Sequence, residues 1–196
     1  MPISAIKMIL ASGSPRRREL LSRLGYEFNV LSADIDEYLL DGESPDQHVM
    51  RLALAKAIEI AQNNPDDLVI GADTIVVLGE RILGKPSSAE EAISMLTLLS
   101  GKAHIVYTGL ALVFFGEQII KTDFDKTRVV FNTLNREDII GYVASGEPLD
   151  KAGAYGIQGM GSFLVKNYDG EFDTVIGFPT KLFSKMYEEV VSCRNH

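Results

Sequence analysis

The chain has 196 residues, and at about 150 residues per domain this length predicts one compact domain spanning residues 1–196. Nineteen basic and 27 acidic residues give a net charge of −8, which excludes a protein that binds nucleic acid polymers through a broadly basic surface. No apolar run approaches the ~20 residues of a membrane helix, so we expect no membrane partner. Cys193 is the only cysteine, which fits a cytoplasmic protein without disulfides.

Apolar segments of strand length alternate with segments of helical periodicity, which predicts an α/β fold. The predicted strands are residues 7–12, 26–33, 68–78, 81–83, 104–115 and 118–134. The predicted helices begin at Ser14, Ser44, Ser88, Asn135 and Pro179. They end near residues 24, 63, 101, 146 and 191. Turn residues predict hairpins at Gly79-Glu80, Gly116-Glu117 and Asp169-Gly170, so we expect a mixed sheet.

Three consecutive arginines, Arg16 to Arg18, open the first predicted helix directly after Ser12-Gly13-Ser14-Pro15. Cations near a helix N-terminus are unfavourable by roughly a few tenths of a kcal/mol each. A bound anion would reverse this, because free backbone N–H groups, hydroxyls and guanidinium groups all bind phosphate. The alternative is a solvated basic patch that pairs with surface acids. The strand–glycine–helix context favours a phosphate site.

A single acid, Asp73, interrupts the otherwise apolar strand 68–78. Aspartate is seldom buried without a partner, so this position predicts a metal ligand or a general base. The alternative is a structural aspartate that accepts backbone hydrogen bonds. The small residues Gly71 and Ala72 suggest room for a ligand beside it.

Lys56 lies on or beside the apolar stripe of the helix that begins at Ser44. On its own this position indicates a lysine whose stem packs on the core while its ammonium reaches water. A neighbouring site residue would change that interpretation. Asp34, Asp36 and Glu37 follow the second strand, where α/β proteins often place their sites, and such oxygen clusters suit Mg²⁺ or Mn²⁺. They are equally typical of a plain surface loop.

Two glycine patterns imitate nucleotide-binding motifs. Gly79, Gly84 and Lys85 have P-loop spacing, but Pro86 stands where a metal-binding Ser or Thr is needed. That stretch also reads as the return arm of a hairpin, which excludes a P-loop and leaves Lys85 as a candidate phosphate contact. The glycine-rich stretch 153–161 is predicted to be a loop and lacks the dinucleotide-binding order of glycines.

Seven segments together resemble the Maf family of nucleoside triphosphate pyrophosphatases. They are Leu10-Ala-Ser-Gly-Ser-Pro-Arg-Arg-Arg-Glu-Leu-Leu21, Gly71-Ala-Asp-Thr74, Gly84-Lys-Pro86, Leu99-Ser-Gly101, Thr108-Gly109, Tyr142-Val-Ala-Ser-Gly-Glu-Pro148 and Asp150-Lys-Ala-Gly-Ala-Tyr-Gly-Ile-Gln-Gly159. The resemblance runs from Ile9 to Pro179, and so many ordered motifs exclude a chance similarity.

The resemblance implies a two-lobed fold like that of inosine triphosphate pyrophosphatases, with a twisted mixed sheet flanked by helices and a central cleft. It implies metal-dependent hydrolysis of a nucleoside triphosphate to the monophosphate and pyrophosphate, with Mg²⁺ or Mn²⁺ as cofactor. Such an enzyme removes unwanted nucleotides from the cellular pool. A homodimer is also implied.

The resemblance also implies roles for particular residues. Asp73 matches the family's proton acceptor, and with Glu37 it would hold the metal ion. Lys56 and Lys85 match basic positions of the active cleft. The phosphate loop contains the matching positions Ser12 and Arg17.

Three positions distinguish the subfamilies, and Arg16, Thr74 and Gln158 match the type that acts on dTTP and UTP. A glutamine side chain offers both a donor and an acceptor, which reading a pyrimidine edge requires. Ser162-Phe163 departs slightly from the family pattern. Arg18 receives no role.

Two other functions remain open. A non-catalytic regulator of cell division could bind a nucleoside triphosphate through the arginines and act on a protein partner. An inosine triphosphate-type pyrophosphatase is the enzymatic alternative. An intact Asp73 together with Lys56 and Lys85 favours an enzyme over a regulator, because a sensor needs no group that activates water.

Overall fold

The structure is a computed structural model that describes residues 6–194. Its strands are β1 (Met8–Leu10), β2 (Asn29–Val30), β3 (Leu68–Leu78), β4 (Arg81–Leu83), β5 (Ala103–Phe114), β6 (Ile119–Phe131) and β7 (Val165–Asp169). Its helices are α1 (Pro15–Arg23), α2 (Pro45–Ala61), α3 (Ala89–Leu99), α4 (Arg136–Ala144), α5 (Phe172–Ile176) and α6 (Thr180–Arg194). Across this described part, none of the helices has the length and apolar character needed to cross a membrane.

The strands form one mixed sheet in the order β2-β1-β3-β5-β6-β7, and β4 pairs with β3 outside this path. β1 runs parallel to β2 and to β3. β4 is antiparallel to β3, and β7 is antiparallel to β6. The predicted α/β class with a mixed sheet flanked by helices is therefore confirmed.

Most predicted elements are confirmed within a few residues, but two predictions are wrong. The second strand is limited to Asn29–Val30, both exposed, and the chain from residue 31 to α2 is irregular. The hairpin predicted at Asp169-Gly170 does not form. Instead, Asp169 of β7 pairs with Arg128 of β6, and the chain enters the short helix α5. β7 thus pairs with the preceding strand β6, whereas the turn signal at Asp169-Gly170 predicted pairing with the residues that follow the turn.

Contacts divide the chain into two compact units. Among the described residues, the first unit contains residues 6–73, 108–125 and 177–194. The second unit contains residues 74–107 and 126–176. Strands β3, β5 and β6 contribute residues to both units.

In the first unit, helix α2 packs unusually close to two strands. A Cβ added to Gly71 of β3 would lie 2.0 Å from the carbonyl oxygen of Ala53. A Cβ added to Gly109 of β5 would lie 2.4 Å from the carbonyl oxygen of Val49. Both distances are far below contact, so only glycine permits this packing. The interpretation of Gly71 as space for a ligand is wrong, since the helix backbone fills that space.

The core of the second unit is built from α3, α4 and the strands around them. His104 is buried there, with its ring edge-on to Phe131 and its Nε2 2.7 Å from the Tyr155 hydroxyl. Burial lowers the pKa of His104 to about 4. The imidazole is therefore neutral near pH 7 and acts as part of the core.

The irregular segment before α2 is fastened to that helix through Glu43. The Glu43 carboxylate accepts hydrogen bonds from Arg51 Nε at 2.5 Å and from the Leu40 N–H at 3.3 Å. His48 Nδ1 lies 2.8 Å from the same carboxylate, and Arg51 Nη2 also donates to the Tyr38 carbonyl. These contacts, above all the Arg51 hydrogen bond, lower the pKa of Glu43 to about 2.

We expect Glu43→Gln to destabilise the protein by about 2 kcal/mol at neutral pH, the usual loss for a hydrogen-bonded charged group. Because folding lowers the pKa of Glu43 from 4.5 to about 2, its stabilisation is complete above pH 4.5 and is lost as the pH falls toward 2. Urea unfolding at several pH values measures this. The exposed Glu27→Gln is the control, and a stability difference from wild type that does not shrink in acid contradicts the prediction.

Candidate active site

The loop between β1 and α1 is organised by two serine hydroxyls. Ser12 Oγ accepts hydrogen bonds from the Ser14 N–H at 3.3 Å and from Arg17 Nη1 at 3.2 Å. Ser14 caps the helix by accepting from the Arg17 N–H, and Pro15 occupies the first helical position. The predicted strand–loop–helix arrangement is present, and N–H groups in the first turn of such a helix are able to bind an anion.

The three arginines differ in their surroundings. Arg17 folds inward within the first unit, where its Nε donates to the Gly177 carbonyl at 2.9 Å. Burial lowers the pKa of Arg17, whereas the Asp73 carboxylate raises it. Arg16 is half-buried and Arg18 is exposed. Arg17 is thus the member of the triplet that the fold holds against Ser12.

Lys56 bridges two carboxylates in the first unit. Its Nζ lies 2.6 Å from Asp73 Oδ1 and 2.6 Å from Glu37 Oε1. Lys56 and Asp73 are 8% and 5% exposed, while the Glu37 side chain is 41% exposed. The interpretation of Lys56 as a lysine whose ammonium reaches water is wrong, because its side chain is buried. Its ion pairs with the two carboxylates hold it in place instead.

The close packing of α2 explains this bridge. Asp73 is two residues beyond Gly71 and therefore shares its face of β3, the face that α2 covers. Lys56 is three residues beyond Ala53, whose carbonyl contacts Gly71, and residues three apart are neighbours on a helix. The approach of helix and strand that glycine permits thus brings the ammonium to the carboxylate.

Of the three acids after β2, Glu37 is the one that pairs with Lys56. The backbone N–H of Asp34 donates instead to Glu59 Oε2 at 2.8 Å. Two carboxylates with hard oxygen atoms suit Mg²⁺ or Mn²⁺ when phosphate and water complete the coordination. Between residues 6 and 194, no cluster of three or more His, Cys, Asp or Glu could hold a metal ion by itself. A metal ion held by Glu37 and Asp73 would therefore need further ligands, such as phosphate or water oxygens.

Three predicted site residues belong to the second unit. Thr74 follows Asp73 in β3 and is half-buried. Lys85 is exposed just after β4, beside Gly84, whose carbonyl accepts a hydrogen bond from the Gly153 N–H. Because this stretch is the return arm of the β3–β4 hairpin, the exclusion of a P-loop is confirmed.

Gln158 is exposed in the glycine-rich loop of the second unit. The Gly156 N–H donates to the Tyr142 hydroxyl at 3.0 Å, and the Met160 N–H donates to Glu147 Oε2 at 3.2 Å. Neither Tyr142 nor Glu147 is a predicted site residue, although both belong to a segment that carries the family resemblance. A signal was present, since a tyrosine and a glutamate precede a stretch rich in glycine, the residue that loses most conformational freedom on folding.

Comparison with known proteins identifies the family. A model of Maf-like proteins matches residues 7–190. The dTTP/UTP pyrophosphatases of Bacillus cereus (strain AH820) and Bacillus anthracis are each 51% identical over 173 residues, covering 88% of this chain and 90% of the relative. A HAM1 protein from Coxiella burnetii shares the fold at a TM-score of 0.53 and 16% identity, covering 94% of this chain and 100% of that one. With a family match over nearly its whole length and relatives half identical to it, the chain belongs to the Maf family.

Proposed function

We propose that this protein is a nucleoside triphosphate pyrophosphatase that hydrolyses dTTP and UTP to the monophosphate and pyrophosphate. The observation that carries the proposal is the bridge from Lys56 to Asp73 and Glu37 in the same unit as the Ser12–Arg17 loop. This unit combines a carboxylate that can accept a proton from water with hydroxyl and cationic groups that can bind phosphate. Relatives named for the same activity support it.

Asp73 is the general base in this proposal. It takes a proton from a water molecule whose oxygen attacks the α-phosphorus, while the bond from that phosphorus to the bridging oxygen of the β-phosphate breaks. Pyrophosphate leaves with the electron pair of that bond. The 2.6 Å contact with Lys56 fixes the Asp73 carboxylate, and such positioning lowers the barrier by pre-orienting the reacting groups.

Cationic groups neutralise the triphosphate. Ser12, Arg17 and the N-terminus of α1 bind phosphate oxygens, and Lys56 and Lys85 add positive charge. A net charge of −8 does not oppose this, since local cations attract an anion even on an acidic protein.

A divalent cation would be held by Glu37 and Asp73. When bound, Mg²⁺ or Mn²⁺ would neutralise negative charge on the phosphate oxygens. Arg16, Thr74 and Gln158 recognise the nucleobase of the substrate. Gln158 offers a hydrogen-bond donor and an acceptor to a pyrimidine. A homodimer and a cytoplasmic location stay predictions.

A panel of triphosphates tests the function. We expect purified protein to release pyrophosphate fastest from dTTP and UTP, to lose activity in EDTA and to regain it with Mg²⁺ or Mn²⁺. A coupled pyrophosphate assay measures this. Preference for inosine triphosphate would contradict the substrate assignment, and tight nucleotide binding without turnover would favour a regulator.

Asp73→Asn keeps the shape of the side chain but removes its capacity to accept a proton. We expect at least about 100-fold lower kcat with dTTP, the range lost with a general base, and an unchanged circular dichroism spectrum. The control is Asp66→Asn, at an exposed position in the turn before β3. An Asp73→Asn variant with wild-type turnover removes Asp73 from the base role.

Lys56→Met removes the cation that directly contacts the buried Asp73 carboxylate. We expect a loss of about 3 kcal/mol in the free energy of unfolding, as for other broken buried ion pairs. Adding Asp73→Asn to this variant removes the uncompensated charge and should recover about 1 kcal/mol or more. Denaturant unfolding of the single and double variants measures the coupling. Additive effects would show that the two side chains do not interact.

A further inference from the structure

A hydrogen-bonded pair, Tyr142 and Glu147, lies at the end of α4 in the second unit. The Tyr142 hydroxyl donates to Glu147 Oε1 at 3.0 Å. Tyr142 is only 2% exposed, and burial is the main cause that raises its pKa, so the phenol stays protonated and able to donate. Lys151 Nζ donates to the Glu147 carbonyl, which fixes the turn that carries the carboxylate.

This pair holds the glycine-rich loop at two points. The Gly156 N–H donates to the Tyr142 hydroxyl, and the Met160 N–H donates to Glu147 Oε2. Gln158 lies midway between the two fastened residues. Each oxygen of the Glu147 carboxylate therefore has a separate partner, one being the tyrosine and the other the loop.

The glycines let the loop fold back on this pair. A Cβ on Gly161 would lie 2.3 Å from the Gly156 carbonyl and 2.7 Å from the Tyr142 hydroxyl, so the two ends of the loop nearly touch. Gly159 has a φ of +64°, a conformation that other residues rarely adopt. Ile157 is buried and Gln158 is exposed. The result is a short, closed loop that presents Gln158 to its surroundings.

We propose that Tyr142 and Glu147 are positioning residues that set pyrimidine selectivity by fixing the Gln158 loop. This inference rests on the proposed function, in which Gln158 reads the base. A glutamine on a loose loop must be ordered when the nucleotide binds, and that ordering weakens binding. Neither residue is among the groups proposed to activate water or to bind phosphate. Their loss should therefore alter KM and the preference for a nucleobase far more than kcat.

Tyr142→Phe removes the hydroxyl that accepts the hydrogen bond from the Gly156 N–H. Glu147→Gln replaces two acceptor oxygens by one, so either Tyr142 or the Met160 N–H loses its acceptor. We expect both variants to speed amide hydrogen exchange at Gly156 or Met160 by about tenfold. We also expect KM for UTP to rise about tenfold and the preference for UTP over GTP to fall by a similar factor, with kcat within about twofold of wild type.

The controls make the same chemical changes elsewhere in the second unit. Tyr168→Phe on β7 and Glu137→Gln in the first turn of α4 alter exposed side chains and should leave exchange and kinetics unchanged. Circular dichroism confirms folding, and Glu147→Gln keeps the buried phenol in place should Tyr142→Phe perturb the core.

The outcomes separate this inference from the function on which it depends. Wild-type protein without activity on dTTP or UTP overturns the proposed function and the positioning role together. Active wild-type protein, with variants that show faster exchange but unchanged KM and selectivity, overturns the positioning role alone. A fall in kcat at unchanged KM also overturns it, because the pair would then act on the chemical step.

Discussion

The seating of helix α2 against β3 and β5 is the constraint on which the candidate site depends. At Gly71 and Gly109 the helix backbone occupies the volume that a side chain would need. The 2.6 Å contact between Lys56 and Asp73 requires this approach, since a helix displaced outward would carry the ammonium away from the strand. The geometry of the site therefore depends first on how closely the backbone of α2 packs against β3 and β5.

Charged side chains near this helix are held by opposite charges. Glu43 fastens the preceding segment to α2 through Arg51, and Glu37 on that segment meets Lys56. The glycine-rich loop of the second unit is held differently. The neutral phenol of Tyr142 and the Glu147 carboxylate each accept a hydrogen bond from a backbone N–H of this loop. The first arrangement holds charged side chains together by ion pairs, whereas the second gives shape to a loop with few side chains of its own.

Local signals predicted the elements that local chemistry controls. Serine and asparagine caps marked helix starts. Ser88 Oγ accepts a hydrogen bond from the Glu91 N–H of α3, and Asn135 Oδ1 accepts one from the Asp138 N–H of α4. The turn at Gly79-Glu80 and strands β3 and β4 also followed from the sequence. The hairpin at Asp169-Gly170 failed because β6, some forty residues earlier in the chain, provides the pairing that a local turn signal cannot see.

The sequence by itself determined the α/β class, the approximate bounds of five of the six α-helices and the family resemblance, because these follow from residue type and short-range spacing. It also proposed acids and bases for phosphate chemistry. Only the tertiary structure paired Glu37 with Lys56 and placed Arg17 against the Gly177 carbonyl. It alone gave Gly71 a packing role and joined Tyr142 and Glu147 to the loop of Gln158. Those choices depend on contacts between residues far apart in the chain, whose distances no periodicity encodes.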